Sequence, residues 1–140
     1  MTRKEARKEV FGLLFESGFK TNENPIEIYD ISADNRDIKD DEYVRGVFFG
    51  VLNNIEEIDG IIGNHARGWK TERISRVSRT ILRIAVYEML KIENIPMLVS
   101  INEAVELCKE YDEEKARPFV NGVLNAVMAS LEKKDPSDEK

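Results

Sequence analysis

KARPFVNGVLNAV, residues 115–127, decides the fold, because its centre and its flanks argue for different structures. Asn121-Gly122 is the dipeptide that most strongly marks a two-residue hairpin, where both central residues need positive φ. The flanks answer otherwise. Phe119, Val120, Val123, Leu124, Val127 and Met128 recur at helical spacing, and the strict alternation of paired strands is missing on both sides. The stretch is therefore a helix opened by Pro118, with Asn121 and Gly122 in its first two turns, where their low propensity costs least. Gly122 is expected to be a close helix packing contact, and Asn121 a donor or acceptor toward a neighbouring loop or a ligand base.

Working outward, the same period recurs. Ser75 to Ile92 carries Val77, Ile81, Leu82, Ile84, Ala85, Met89 and Ile92 over more than half of its circumference, which predicts a central, largely buried helix. Pro96 separates it from a helix with Ile101, Ala104, Val105 and Cys108 on one face, and SINE, residues 100–103, reads as its capping box. Upstream, a long helix is expected from about Asp40 through Ile62, with Val44, Val47, Phe48, Val51, Ile55 and Ile58 three and four apart. Asn24-Pro25 opens a short helix bearing Ile26, Ile28, Tyr29 and Ile31. Thr2 with Glu5 is a capping box ahead of the stripe Val10, Phe11, Leu14, Phe15 and Phe19, and Gly18 is where that helix frays.

No strand pattern appears, so the fold class is all-α: two packed three-helix bundles forming one domain, 1–134. The N-terminal sub-bundle covers about 1–63 and the C-terminal one about 72–134, with the loop containing Trp69 at their seam and 135–140 a disordered tail.

Composition narrows the function. The single cysteine excludes an internal disulfide framework, and no apolar run reaches the roughly 18 residues of a membrane span. A cytoplasmic, membrane-free protein is expected. The net charge of −6 hides an uneven distribution. Residues 21–60 hold eleven Asp or Glu against three Lys or Arg, whereas 65–91 hold seven Lys or Arg against two Glu. The first eight residues add Arg3, Lys4, Arg7 and Lys8 against Glu5.

An enzyme has little to stand on. His65 has no partner at metal-ligand spacing, Cys108 lies on an apolar face, and the glycines occur singly rather than in a phosphate-cradling loop. No catalytic residue, metal or cofactor is expected. The basic residues say more. Positions 3, 4, 7 and 8 share one side of the first helix, where cations oppose the helix dipole and a bound polyanion would reverse the sign. Arg73, Arg76, Arg79 and Arg83 make a second row at helical spacing, either a solvated polar face or an RNA contact.

The order RTILRIAVYEML, Pro96, VSINEAVELCKEY and FVNGVLNAV resembles the NusB family of bacterial transcription antitermination factors, over nearly the whole chain. The resemblance implies a non-enzymatic, all-helical protein that binds single-stranded boxA RNA of ribosomal RNA transcripts. It also implies two protein partners: ribosomal protein NusE, and the RNA polymerase elongation complex with other Nus factors. It puts the family's N-terminal arginine cluster on Arg3, Lys4 and Arg7, its RNA-facing aromatic on Phe15, and the phenylalanine of its FVNG motif on Phe119. Lys4 and Lys8 stand where arginine is frequent, Phe15 where tyrosine is, and Lys115 where an acid is common, so Lys115 is expected to strengthen RNA affinity. The NusE-facing surface is expected on the exposed side of the helix carrying Ser78, Arg79 and Glu88. Reversal of Arg3 and Arg7 to Glu is expected to abolish most RNA binding without lowering thermal stability. Relatives differ in whether they pair, which leaves monomer and homodimer both open. Two alternatives stand beside this reading: a detached RNA-binding module of an rRNA methyltransferase, and a protein-only interaction module.

Overall fold

The computed structural model describes residues 1–17, 24–35, 41–66 and 74–133; among these the chain forms seven α-helices and no strand. They are α1 (Arg3–Ser17), α2 (Pro25–Asn35), α3 (Glu42–Asn53), α4 (Ile55–His65), α5 (Arg76–Lys91), α6 (Met97–Tyr111) and α7 (Ala116–Lys133). The readings of Gly18, Phe19, Arg73, the Trp69 loop and the tail fall outside the described residues. The chain divides into two compact units, Met1–Asn54 and Ile55–Lys140.

Sequence signals set most of the helix starts. The Thr2 hydroxyl accepts from the Glu5 amide at 3.1 Å while the Glu5 carboxylate accepts from the Thr2 amide at 2.9 Å, a reciprocal capping box. Asn24 Oδ1 accepts from the Ile26 amide across Pro25, Asp41 Oδ1 from Val44, and the Ser75 hydroxyl from Ser78, at 2.8 to 3.0 Å. SINE is a different matter. α6 begins at Met97 behind Pro96, which makes no side-chain cap bond, so Ser100 already lies inside the helix. Its hydroxyl instead donates to Glu88 Oε1 on α5 at 2.7 Å. The proline sets the start four residues earlier than the cap pattern suggested.

The expected long helix from Asp40 to Ile62 is interrupted at Asn54, which makes α3 and α4 two elements. Asn54 adopts φ −121° and ψ 23°, its side-chain amide donates to the Gly50 carbonyl at 2.7 Å, and its backbone amide reaches the Gly50 and Val51 carbonyls. The side chain thereby caps the Gly50 carbonyl, and the backbone amide takes up the Val51 carbonyl that a continuing helix would have offered to Ile55.

In the first unit, α1 packs on α2 and α3 around Val10, Phe11, Leu13, Leu14, Ile28, Val44, Val47, Phe48 and Val51. Tyr29, Phe48 and Phe49 form a ring cluster with centroids 5.0 to 5.4 Å apart. α2 turns Ile28 and Tyr29 inward and leaves Ile26 and Ile31 exposed.

In the second unit α5 packs against α4, α6 and α7, the central position that its wide apolar surface predicts. Its neighbours supply Ile58, Ile62, Ile101, Leu107, Val120, Leu124 and Val127, an aliphatic core. Because three helices surround α5, several of its polar residues are also enclosed. Ser78 and Glu88, expected on the exposed side, are 3% and 1% exposed. The Ser78 hydroxyl donates to Asp112 Oδ2, and Arg83 makes a two-pronged ion pair with Asp59 at 2.8 and 2.7 Å. Gly122 also departs from its reading: it is exposed, and a Cβ there would meet nothing within 4 Å, so it is no packing contact.

Candidate nucleic-acid interface

The basic start of α1 is fixed at both ends of its first turn by the Thr2–Glu5 box. Hydrogen bonds from the Thr2 amide and hydroxyl hold the Glu5 carboxyl below the usual carboxylate range, with the chain's amino terminus and Lys8 adding smaller effects. Glu5 is thus the one acid in a first turn where the helix dipole favours acids, among four cations that it does not favour.

Those cations are not equivalent. Arg3 and Lys4 are exposed, Lys8 is half-buried, and Arg7 is buried at 4% exposure. Arg3 lays its guanidinium over the ring of Tyr43 on α3, with its central carbon 4.4 Å from the centroid, and Arg7 approaches the same ring at 5.8 Å. Burial of Arg7 corrects the expectation that its reversal to Glu would leave thermal stability intact: the substitution would enclose a carboxylate where the unit has shaped itself around a guanidinium. Phe15, two turns further along, is half-buried with its ring stacked on Phe11, centroids 5.7 Å apart.

The second group of expected residues lies at the start of α7. Lys115 is 87% exposed with Glu113 at 3.5 Å, Phe119 is half-buried, and Asn121 is exposed, its backbone carbonyl accepting from the Asn125 side chain at 2.8 Å. Between α6 and α7 runs a groove of about 680 Å³ whose walls include Asn102, Glu106 and Lys109 on one side and Arg117, Pro118 and Asn121 on the other. Its cations are paired within their own helix or turn, Lys109 with Glu106 at 3.3 Å and Arg117 with Glu114 at 3.7 Å.

Of the residues expected to face a protein partner, Ser78 and Glu88 are enclosed as described and Arg79 is half-buried. In the arginine row, Arg83 is committed to Asp59. Sequence reading did not single out Tyr43, because a ring that meets two arginines of another helix leaves no trace in spacing along either one. Asp112, the acceptor for Ser78 from 34 residues away, was hidden for the same reason.

Elsewhere chemistry is muted. Burial pushes the Cys108 thiol up to about 12, with Asp112 raising it further and Arg117 opposing. His65 Nδ1 lies 2.9 Å from the Ile61 carbonyl at the end of α4. Among the described residues no group of acidic, histidine or cysteine side chains is arranged to hold a metal, and no helix is long and apolar enough to cross a membrane.

Comparison with known proteins places this geometry in company. A sequence model of the NusB family matches residues 4–129. The transcription antitermination protein NusB of Acetivibrio thermocellus is 47% identical over 105 residues, which is 75% of this chain and 69% of that relative. NusB of Clostridium perfringens is 37% identical over 136 residues, covering 94% of this chain and all of that one. Among solved structures, one of antitermination factors NusB and NusE in complex with double-stranded RNA superposes with a TM-score of 0.81 at 33% identity, over 91% of this chain and 96% of that one.

Proposed function

This chain belongs to the NusB family, and from that premise we propose that it is a non-enzymatic transcription antitermination factor that binds boxA RNA of ribosomal RNA transcripts together with NusE. The observation that carries the reading is the likeness, over nine-tenths of the chain, to a protein caught with both NusE and RNA. The bound assembly then joins the RNA polymerase elongation complex in the cytoplasm.

The residues divide the work by their exposure. Arg3, Lys4 and Lys8 contact phosphates, while the enclosed Arg7 takes less of the phosphate. Phe15 and Phe119, each half-buried, offer ring surface to unpaired bases, and the exposed amide of Asn121 reads a base edge. Lys115 adds a long-range attraction, weakened by Glu113 beside it. Arg79, half-buried at the start of α5, is the remaining side chain of its group available to NusE, with Ser78 and Glu88 supporting the helix from within.

Fluorescence anisotropy of a labelled boxA RNA against a scrambled RNA of equal length, with and without NusE, tests the proposal. Preference for boxA that tightens with NusE is the expected result. With Arg3, Lys4 and Lys8 engaged, the logarithm of affinity should fall with the logarithm of salt at a slope of roughly −2. Equal binding of both RNAs, indifferent to NusE, would overturn it.

A further inference from the structure

We infer that Tyr43 is a positioning residue for RNA binding: its ring holds the Arg3 guanidinium in a ready orientation at the start of α1. The inference rests on the reading of Arg3 as a phosphate contact and extends it to a residue on another helix.

Three observations converge on this pair. Both backbones are pinned, Arg3 as the first residue of α1 behind the Thr2–Glu5 box, and Tyr43 as the second residue of α3 behind Asp41, whose carboxylate accepts from Val44 at 3.0 Å. The next residue, Val44, is fully buried, so the first turn of α3 is anchored directly behind the ring. The guanidinium carbon sits 4.4 Å from the ring centroid, inside the range in which the negative face of the ring attracts a cation.

Arg3 needs such help. It is exposed, and a free arginine side chain samples many rotamers that binding would have to select among. It also stands at a helix N-terminus, where the dipole disfavours positive charge. A guanidinium lying on a ring loses rotamer freedom before RNA arrives, and its N–H donors, which lie in the guanidinium plane around its rim, remain available for a phosphate. Arg7, 4% exposed, lies 5.8 Å from the same centroid, so the ring meets a second, enclosed cation of α1.

A double-mutant cycle on the full chain tests the assignment, using boxA RNA as the probe. Arg3→Ala should weaken binding, and Tyr43→Leu should weaken it roughly two- to fivefold, the span expected for losing one exposed cation–π contact. In the Arg3→Ala background Tyr43→Leu should have no further effect, and Tyr43→Phe should retain wild-type affinity because the ring face is kept. Equal affinity of Tyr43→Leu and wild type beside a weakened Arg3→Ala would overturn the positioning role alone. Additive losses would do the same, since a ring acting through general stability does not depend on Arg3. An unaffected Arg3→Ala would overturn this inference together with the reading of Arg3 as an RNA contact. Should Tyr43→Leu fold poorly, NMR of the unsubstituted protein supplies a second readout: the δ protons of Arg3 should be shifted upfield by the ring current, and random-coil shifts there would overturn the inference.

Discussion

The two units solve the same packing problem with different materials. The first, α1 to α3, fills its interior with Phe11, Tyr29 and Phe48 beside valines and leucines, and puts another aromatic, Tyr43, at its edge under two arginines. Among its described residues the second, α4 to α7, buries no aromatic side chain. It relies on isoleucine, leucine, valine and alanine, crossed by polar ties from the central helix: Glu88 to Ser100, Ser78 to Asp112, Arg83 to Asp59. Rings supply area and a face for cations; ties supply register, since a helix enclosed by three others with aliphatic contacts alone has many nearly equivalent rotations. The ties accordingly favour one rotation of α5 over its neighbours.

That contrast can be broken from several directions. Phe48→Ala, which removes a fully buried ring from the first unit, should cost about 3–5 kcal/mol in urea denaturation. A loss well below that range would mean that Tyr29 and Phe49 collapse into the gap. Arg7→Glu follows, on the order of 3 kcal/mol, whereas Arg3→Glu should leave the melting temperature nearly unchanged. Equal melts for the two variants would show that burial does not separate their roles. Ser100→Ala in the second unit takes one hydrogen-bond donor from an enclosed carboxylate and should cost about 1–3 kcal/mol. A neutral result there would remove the ties from the account of the second unit.

Gly122→Ala should stabilise the protein by about 0.5–1 kcal/mol, because α7 gains helix propensity and the new methyl meets open space. If RNA affinity fell at the same time, the bare surface at Gly122 would serve a partner that approaches closely. The smallest effect concerns pH. The folded-state pKa of Glu5 is lowered, so its contribution is complete above the unfolded value and is lost as pH falls through the lowered one. Melting temperatures of wild type and Glu5→Gln should therefore converge toward acid and separate near neutrality; a constant gap would assign the effect to something other than the carboxylate charge.

How much of this was legible in the sequence follows from what each feature depends on. α1, α2, α5 and α7 came from local chemistry, namely caps, prolines and a 3.6-residue apolar period, which act within a few residues. The break at Asn54 did not, because Val51, Ile55, Ile58 and Ile62 keep helical spacing across it while the Asn54 side chain and backbone amide between them take the Gly50 and Val51 carbonyls. The successive amides Asn53 and Asn54 were the available warning. At the candidate interface, Arg3, Lys4, Lys115 and Asn121 are exposed, as charged and amide side chains usually are. The burial of Arg7, Ser78 and Glu88 was decided by which helix lies opposite, a fact of tertiary packing that charge patterns do not encode.

One buried atom gives the second unit a built-in reporter. Cys108 is the sole cysteine of the chain, fully enclosed on α6, with its thiol held at about 12. At neutral pH the native protein thus presents almost no thiolate to oxidants or alkylating reagents, and its labelling proceeds only when α6 parts from its neighbours. The rate of alkylation in native buffer is accordingly a direct reading of how often that core opens, and a bound partner that steadies the second unit would slow it.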